Sequence, residues 1–192
     1  MTWRGEGSQS RPQKLKRLLR SFADEPIEVT RSLPGEFRQR YGNQQYATAD
    51  EFWEEHLHGL IGASWPCPER DSIDEVMADI TSRLAAGGLP FGRNSYGWYA
   101  DADISLCHAV WCTVLHTRPS VVIETGVAHG ITSRIVLEAM QRNDHGHLWS
   151  IDLPFPFDHE LHGQTGVAVT DECRPRWSYI EGRSRQRLPR LV

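Results

Sequence analysis

The spacing of hydrophobic residues predicts three helices in the middle of the chain. Apolar residues recur every three or four positions over 49–60, 72–84 and 103–115. Ser72 and Glu75 form a capping-box pattern at the start of the second helix, and Gly87-Gly88 should end it. Asp103 is in position to cap the third helix, which should bury residues from Ile104 to Leu115. Pro119 is expected to stop that helix.

The pattern changes after Pro119, where strands begin to alternate with helices. Val121-Val122-Ile123 is a short β-branched run, typical of a strand buried on both faces. A helical stripe over 131–142 follows, and then a second strand over 148–151. These three elements predict a βαβ unit with parallel strands. A third strand is expected over 177–180, after a long and irregular connection.

The predicted fold class is therefore α/β. It is a partial Rossmann-like fold with the first three parallel strands and their helices, preceded by a helical N-terminal region. We assign residues 1–70 to a polar, partly helical arm and linker, and residues 71–192 to the α/β region. The basic run from Lys14 to Arg20 has the spacing of one short amphipathic helix, which we interpret as a solvated arm.

Composition and charge exclude several classes of function. The net charge is −4 and the pI about 6.1, which gives no reason to expect a nucleic-acid or membrane-surface partner. The N-terminus lacks an apolar signal region, and no apolar run reaches the ~20 residues that a membrane span needs. These features predict a cytoplasmic protein. The four cysteines contain no C-x-x-C pair, so the sequence supports no zinc ribbon, and Cys107 and Cys112 fit an apolar helix face.

The segment from Glu124 to Ser133 joins the end of a predicted strand to the start of a helix. Glycine lets the backbone turn sharply there and lets a ligand approach closely. The free N–H groups of a helix start suit a carboxylate or a phosphate. Asp152 ends the next strand, where an acid can accept hydrogen bonds from ribose hydroxyls. The order Gly126-x-Ala128-x-Gly130 departs from the G-x-G-x-x-G pattern of dinucleotide enzymes.

The run E-T-G-V-A-H-G at 124–130 resembles motif I of class I S-adenosylmethionine-dependent methyltransferases. Ser150-Ile151-Asp152 resembles their motif II, and the segment 182–189 resembles the part that follows their third strand. The stretch over roughly residues 98–192 is similar to the small-molecule O-methyltransferases grouped with cephalosporin hydroxylase. Where that family prefers a middle glycine, this chain has Ala128.

The resemblance implies S-adenosyl-L-methionine as cofactor and a small-molecule acceptor, methylated at oxygen. It implies a turn facing the cofactor, made of Gly126, Val127, Ala128, His129 and Gly130. Thr132 would bind the methionine carboxylate, Glu124 the methionine ammonium and Asp152 the ribose. Ser184 would sit near the adenine edge and could also cap a helix that begins at Arg185. His129 could instead be only a surface residue of the turn.

A divalent metal is known in such methyltransferases, but no residue of this chain indicates one. The polar group Asp158, His159, Glu160 and His162 fits a solvated loop better than a metal site. His56 and His58 lie in a helical pattern with unsuitable spacing for a shared metal, and His108 and His116 are expected on a helix surface. Tyr96, Trp98 and Tyr99 could form a lid over the cofactor or simply pack beneath a loop.

The sequence also leads us to expect a fragment of the fold, because the chain ends one helix after the third strand. The first strand would then be an exposed edge, which a second chain or another copy could cover. Alone, such a chain should bind cofactor weakly, and the catalytic residues would lie beyond Val192, so none is named. Two other functions stay open: a nucleotide- or NAD(P)-binding oxidoreductase, and a non-catalytic remnant of the fold.

Overall fold

The computed structural model describes residues 51–92, 95–96, 101–153 and 159–191. All of them belong to one compact unit, Ala49–Val192. The predicted basic helix from Lys14 to Arg20 lies outside the described residues, as do Trp98 and Tyr99 of the predicted aromatic lid.

In the described part of the chain, three helices precede the sheet: α1 (Trp53–Ile61), α2 (Arg70–Ala86) and α3 (Ile104–Thr117). The predicted cap of α3 is confirmed, because Asp103 Oδ1 accepts a hydrogen bond from Leu106 N at 2.8 Å. The predicted capping box of α2 is wrong. Helix α2 begins two residues before Ser72, and the Ser72 hydroxyl donates to the Glu69 carboxylate at 3.2 Å. Ile104 was expected to be buried, but 46% of it is exposed.

The sheet contains three parallel strands in the order β1-β2-β3: β1 (Val121–Thr125), β2 (His147–Asp152) and β3 (Trp177–Glu181). The register pairs Glu124 with Ser150, and Asp152 with Glu181. The prediction of an α/β fold with three parallel strands is confirmed, and the strand order is that of one half of a Rossmann-like sheet.

Helix α4 (Ile131–Arg142) connects β1 to β2 with the predicted bounds. The connection from β2 to β3 is irregular, as expected, and its described part contains a short helix α5 (His159–Gly163) and a 3₁₀ turn at Arg174–Arg176. Helix α6 (Ser184–Arg187) and a 3₁₀ turn at Leu188–Arg190 follow β3. The prediction that Ser184 caps this helix is wrong, because Ser184 is its first helical residue and Arg183 occupies the N-cap position.

The core lies between the sheet and a layer of helices. Helix α4 packs on β2, α3 packs on α4, and α1 and α2 pack on α3. Residues 51–70, which the sequence assigned to the arm and linker, therefore share a core with the sheet; Cys67 is 8% exposed. The largest fully buried side chains include Trp111, Leu137 and Met140.

Strand β1 is less buried than its β-branched sequence predicts. Val121 is 53% exposed and the three middle residues of β1 are half-buried, so the expectation of burial on both faces is wrong. Among the described residues, β1 pairs only with β2, which leaves one edge of β1 without a strand neighbour. In the part of the chain that the structure describes, no helix combines the length and the hydrophobicity needed to span a membrane.

Candidate functional site

The turn between β1 and α4 uses left-handed backbone conformations at alternate positions. The φ angles are +83° at Gly126, +49° at Ala128 and +84° at Gly130. Glycine adopts such angles without a steric penalty, whereas an L-residue such as alanine does so at a cost of about 1–2 kcal/mol. The backbone at Ala128 therefore has the conformation that the glycine of motif I would have, although the residue itself is alanine.

The two glycines of the turn have different surroundings. A Cβ atom added to Gly130 would lie 2.8 Å from the Cα atom of Gly166, whereas one added to Gly126 would have no neighbour within 4 Å. The segment after α5 binds the turn directly, since Gly166 N and Ala168 N each donate to turn carbonyls, those of Ala128 and His129, at 2.9 Å. Gly130 is thus needed for packing, while Gly126 presents open backbone that a ligand could approach.

Asp152, at the end of β2, faces the turn. Its Oδ2 atom accepts hydrogen bonds from Val127 N at 2.8 Å and from Ala128 N at 3.2 Å. The backbone joins the two elements as well, because Gly126 N donates to Ile151 O at 2.9 Å. The sequence predicted this arrangement, in which β1 and β2 are neighbours and the Asp152 carboxylate faces the turn.

Glu124 lies beneath the same turn and is largely buried. Its Oε2 atom accepts hydrogen bonds from the hydroxyls of Ser133, at 2.6 Å, and Ser150, at 2.7 Å. Burial raises the pKa of the Glu124 carboxyl; the two hydroxyls lower it, and the nearby Asp152 carboxylate raises it further. A buried carboxylate with a raised pKa is poised to receive a cation.

A hydrogen-bonded chain connects Glu124 to the third strand. Trp177 Nε1 donates to Ser150 Oγ at 2.8 Å, and Ser150 Oγ donates to Glu124. The roles of Ser133, Ser150 and Trp177 were not predicted from the sequence. Ser150 lies opposite Glu124 because the parallel register offsets Glu124 and Asp152 by two residues, and this register is not written in the local sequence.

His129 is fully buried, so the interpretation of it as a surface residue is wrong. Its Nδ1 atom lies 3.2 Å from Oδ1 of Asp101, a carboxylate that is itself only 1% exposed. The ring of Tyr96 meets His129 edge-on at 5.3 Å, and the Tyr96 hydroxyl is 2.6 Å from Thr165 Oγ1. The His129 side chain therefore holds the turn to the loop before α3, and only its backbone is available to a ligand.

The remaining predicted site residues are spread around this turn. The Val127 side chain is 6% exposed, so this residue too offers mainly its backbone. Thr132 is half-buried in the first turn of α4, and Ser184 is exposed at the start of α6. The structure thus brings Asp152 into direct contact with the turn, and it joins Glu124 to the first turn of α4 through Ser133.

The two carboxylates determine what this turn can bind. Glu124 lies below the turn and Asp152 beside it, so negative charge flanks the start of α4. A pyrophosphate approaching this place would be repelled, whereas an ammonium group and a pair of hydroxyls would be attracted. The site is suited to a ligand that combines a positive charge with a sugar.

The predicted polar group near α5 does not assemble into a metal site in the described residues. His162 Nε2 is 3.8 Å from Glu181 Oε2, while Asp158 and the side chain of His159 lie outside the described part of the structure. The expected surface position of His108 is wrong. This residue is 6% exposed, with its ring nitrogens 3.1 Å from Glu54 Oε1 and 3.2 Å from Asp74 Oδ1.

No family model and no curated protein matches this chain. Several solved structures are similar to it, and two of them serve as examples. One is the S-adenosylhomocysteine-bound methyltransferase PaMTH1 of Podospora anserina, at 13% identity and a TM-score of 0.44, over 77% of this chain and 56% of that one. The other is a "putative O-methyltransferase" from Klebsiella pneumoniae, at 16% identity and a TM-score of 0.40, over 72% of this chain and 53% of that one. This chain thus spans little more than half the length of either protein, and similarity at this level is too low to transfer a function.

Proposed function

We propose that the turn at 126–130 binds S-adenosyl-L-methionine, and that this chain supplies the cofactor-binding part of a methyltransferase acting on oxygen of a small molecule. The proposal rests on one observation above all. Two carboxylates, Glu124 and Asp152, converge on a strand-to-helix turn whose residues 126, 128 and 130 all have positive φ.

Each part of the cofactor has a complementary group in this arrangement. The Asp152 carboxylate accepts from the ribose hydroxyls, and the buried Glu124 carboxylate meets the methionine ammonium. Thr132 and the N–H groups at the start of α4 meet the methionine carboxylate. The open backbone at Gly126 lets the cofactor lie against the turn, and Ser184 lies towards the adenine edge.

The reaction follows from the cofactor, whose sulfonium group offers its methyl group for in-line displacement. The residues of this chain contribute binding and orientation, which lower the barrier by fixing the methyl group in one position. The same residues disfavour NAD(P), because the charge of the Glu124 carboxylate, which Ser133 joins to the first turn of α4, would repel a pyrophosphate at the start of that helix.

Isothermal titration of the full chain tests the proposal. We expect S-adenosylhomocysteine to bind with a Kd below ~1 mM, and NAD⁺ under the same conditions not to bind. Asp152→Asn should weaken the binding by about 10-fold or more, because a charge-assisted hydrogen bond contributes roughly 1.5–3 kcal/mol.

Asp171→Asn is the matched control, since that carboxylate is 93% exposed, and it should leave the binding unchanged. Equal affinities of the native chain and Asp152→Asn would contradict the assigned role of Asp152. Binding of NAD⁺ with no binding of S-adenosylhomocysteine would favour the oxidoreductase alternative and overturn the proposal.

A further inference from the structure

Four potential metal ligands lie together in the helical layer. His58 comes from α1, Cys67 from the segment that joins α1 to α2, and Cys112 and His116 from α3. A ring nitrogen of His58 and the sulfurs of Cys67 and Cys112 all lie within 4.8 Å of one another, and these three residues are buried. The His116 Nε2 atom is 3.7 Å from the Cys67 sulfur.

Two separations among these atoms, both measured from the Cys67 sulfur, are those expected around a tetrahedral zinc ion. The two sulfurs are 3.7 Å apart, and the Cys67 sulfur and His116 Nε2 are also 3.7 Å apart. Zn–S bonds of about 2.3 Å and Zn–N bonds of about 2.0–2.1 Å at tetrahedral angles place two sulfurs roughly 3.8 Å apart, and a sulfur and a nitrogen roughly 3.6 Å apart. Both observed distances are close to these values.

The His58 ring is oriented as a metal ligand would be. Its Nδ1 atom lies 2.7 Å from the carbonyl oxygen of Glu54, so Nδ1 carries the proton and donates it to that carbonyl. The Nε2 atom is then left with its lone pair. It is buried and has no hydrogen-bond partner among the described residues, and the whole side chain is only 1% exposed. A backbone carbonyl that fixes the tautomer in this way is the usual support of a zinc-bound histidine.

The local structure presents the other ligands together. Cys112 and His116 are four residues apart on α3, so they share one helix face. The rings of His58 and His116 meet edge-on at 5.6 Å, so His116 lies next to the group of His58, Cys67 and Cys112. Binding of a metal by the two thiolates would release both thiol protons to solvent.

We propose that His58, Cys67, Cys112 and His116 bind one Zn²⁺ ion that links α1, the α1–α2 segment and α3. Two thiolates and two neutral imidazoles complete a four-coordinate shell, which leaves no open position for substrate. The site is therefore structural. It is independent of the turn that we propose binds the cofactor.

Metal analysis of the full chain, purified under reducing conditions, tests this proposal. We expect about one zinc ion per chain. After removal of zinc with a chelator, Co²⁺ should give the intense visible bands of tetrahedral cobalt and a near-ultraviolet thiolate charge-transfer band. Adding Zn²⁺ back should abolish both and raise the Tm, because the metal binds the folded state.

Cys112→Ser and His58→Ala should lose most of the bound metal and most of the cobalt signal. Cys107→Ser, a change at another buried cysteine of α3, and His56→Ala, at an exposed position of α1, should keep both. If the ligand variants fail to fold, the zinc content and the cobalt spectrum of the native chain decide the question. A native chain without zinc that gives no tetrahedral cobalt spectrum overturns the proposal.

Discussion

The turn at the sheet edge and the helical layer both bury polar side chains, but they satisfy them differently. Below the turn, the Glu124 carboxylate accepts from two serine hydroxyls, and Asp152 accepts from backbone amides. In the helical layer, His58 keeps a buried nitrogen that no described residue satisfies, next to two sulfurs. The carboxylates of the turn have partners without a ligand and can exchange them for one. The turn also holds a buried nitrogen without a partner among the described residues, His129 Nε2, so what distinguishes His58 is the pair of sulfurs beside it.

Glycine substitutions within the turn should give the largest loss of stability. They also distinguish the glycine that is needed for packing from the glycine that a ligand could approach. Gly130→Ala combines a strained φ with a contact of 2.8 Å to the backbone of Gly166, so it should destabilise the chain by about 3–5 kcal/mol. Gly126→Ala meets no atom within 4 Å and should cost only about 1–2 kcal/mol. Urea unfolding measures both, and equal losses would show that the contact with Gly166 does not matter.

Removing a buried histidine should have an intermediate effect on the helical layer. His108→Ala deletes a side chain that lies between the carboxylates of Glu54 and Asp74, so it should lower the free energy of unfolding by about 2 kcal/mol. His145→Ala, at an exposed position, serves as the control and should change it by less than about 0.5 kcal/mol. A His108→Ala variant as stable as its control would show that this buried pairing does not support the helical layer.

Replacing the buried carboxylate should give the smallest change in stability, and one of opposite sign. Because the pKa of Glu124 is raised in the folded chain, ionisation of this group at neutral pH opposes folding. Glu124→Gln should therefore stabilise the unliganded chain by about 0.5–2 kcal/mol while it weakens cofactor binding. Thermal unfolding and titration of the same variant measure both effects, and destabilisation by Glu124→Gln would contradict this account.

The pH dependence of both quantities follows from the same raised pKa. Between the ordinary carboxyl pKa and the raised one, the folded chain holds a proton that the unfolded chain has released, so this contribution to stability is lost as pH rises through that window. An ammonium ligand favours the ionised form, so binding releases the proton and affinity should increase with pH over the same range. Glu124→Gln should flatten both profiles.

Local patterns along the sequence were sufficient to predict the elements of the sheet region. Helix α4 has the predicted bounds, because its apolar stripe and the flanking glycine and asparagine signals all agree. The strands lie where the β-branched and aromatic runs are, and Asp152 meets the turn because parallel strands end at one edge. The exposure of Val121 contradicts the expected burial of β1 on both faces, but it agrees with the other expectation, that β1 is an edge strand, which holds among the described residues.

The features that the sequence did not predict depend on contacts between residues that are far apart along the chain. His58, His108 and His129 are buried because residues far along the chain cover them, and helical spacing alone does not reveal those partners. The C-x₃-H spacing of Cys112 and His116 was visible, but the other two ligands lie more than 40 residues earlier. The start of α2 was misplaced because the Ser72 hydroxyl binds a side chain instead of a backbone amide.

The indole of Trp177 ends the chain of hydrogen bonds that begins at Glu124. Its N–H group donates to a hydroxyl that itself donates to the carboxylate, so the indole proton resonance of Trp177 should shift when the charge of Glu124 changes. The molecule thus contains its own spectroscopic reporter of events at the turn, on a strand that the ligand itself need not touch.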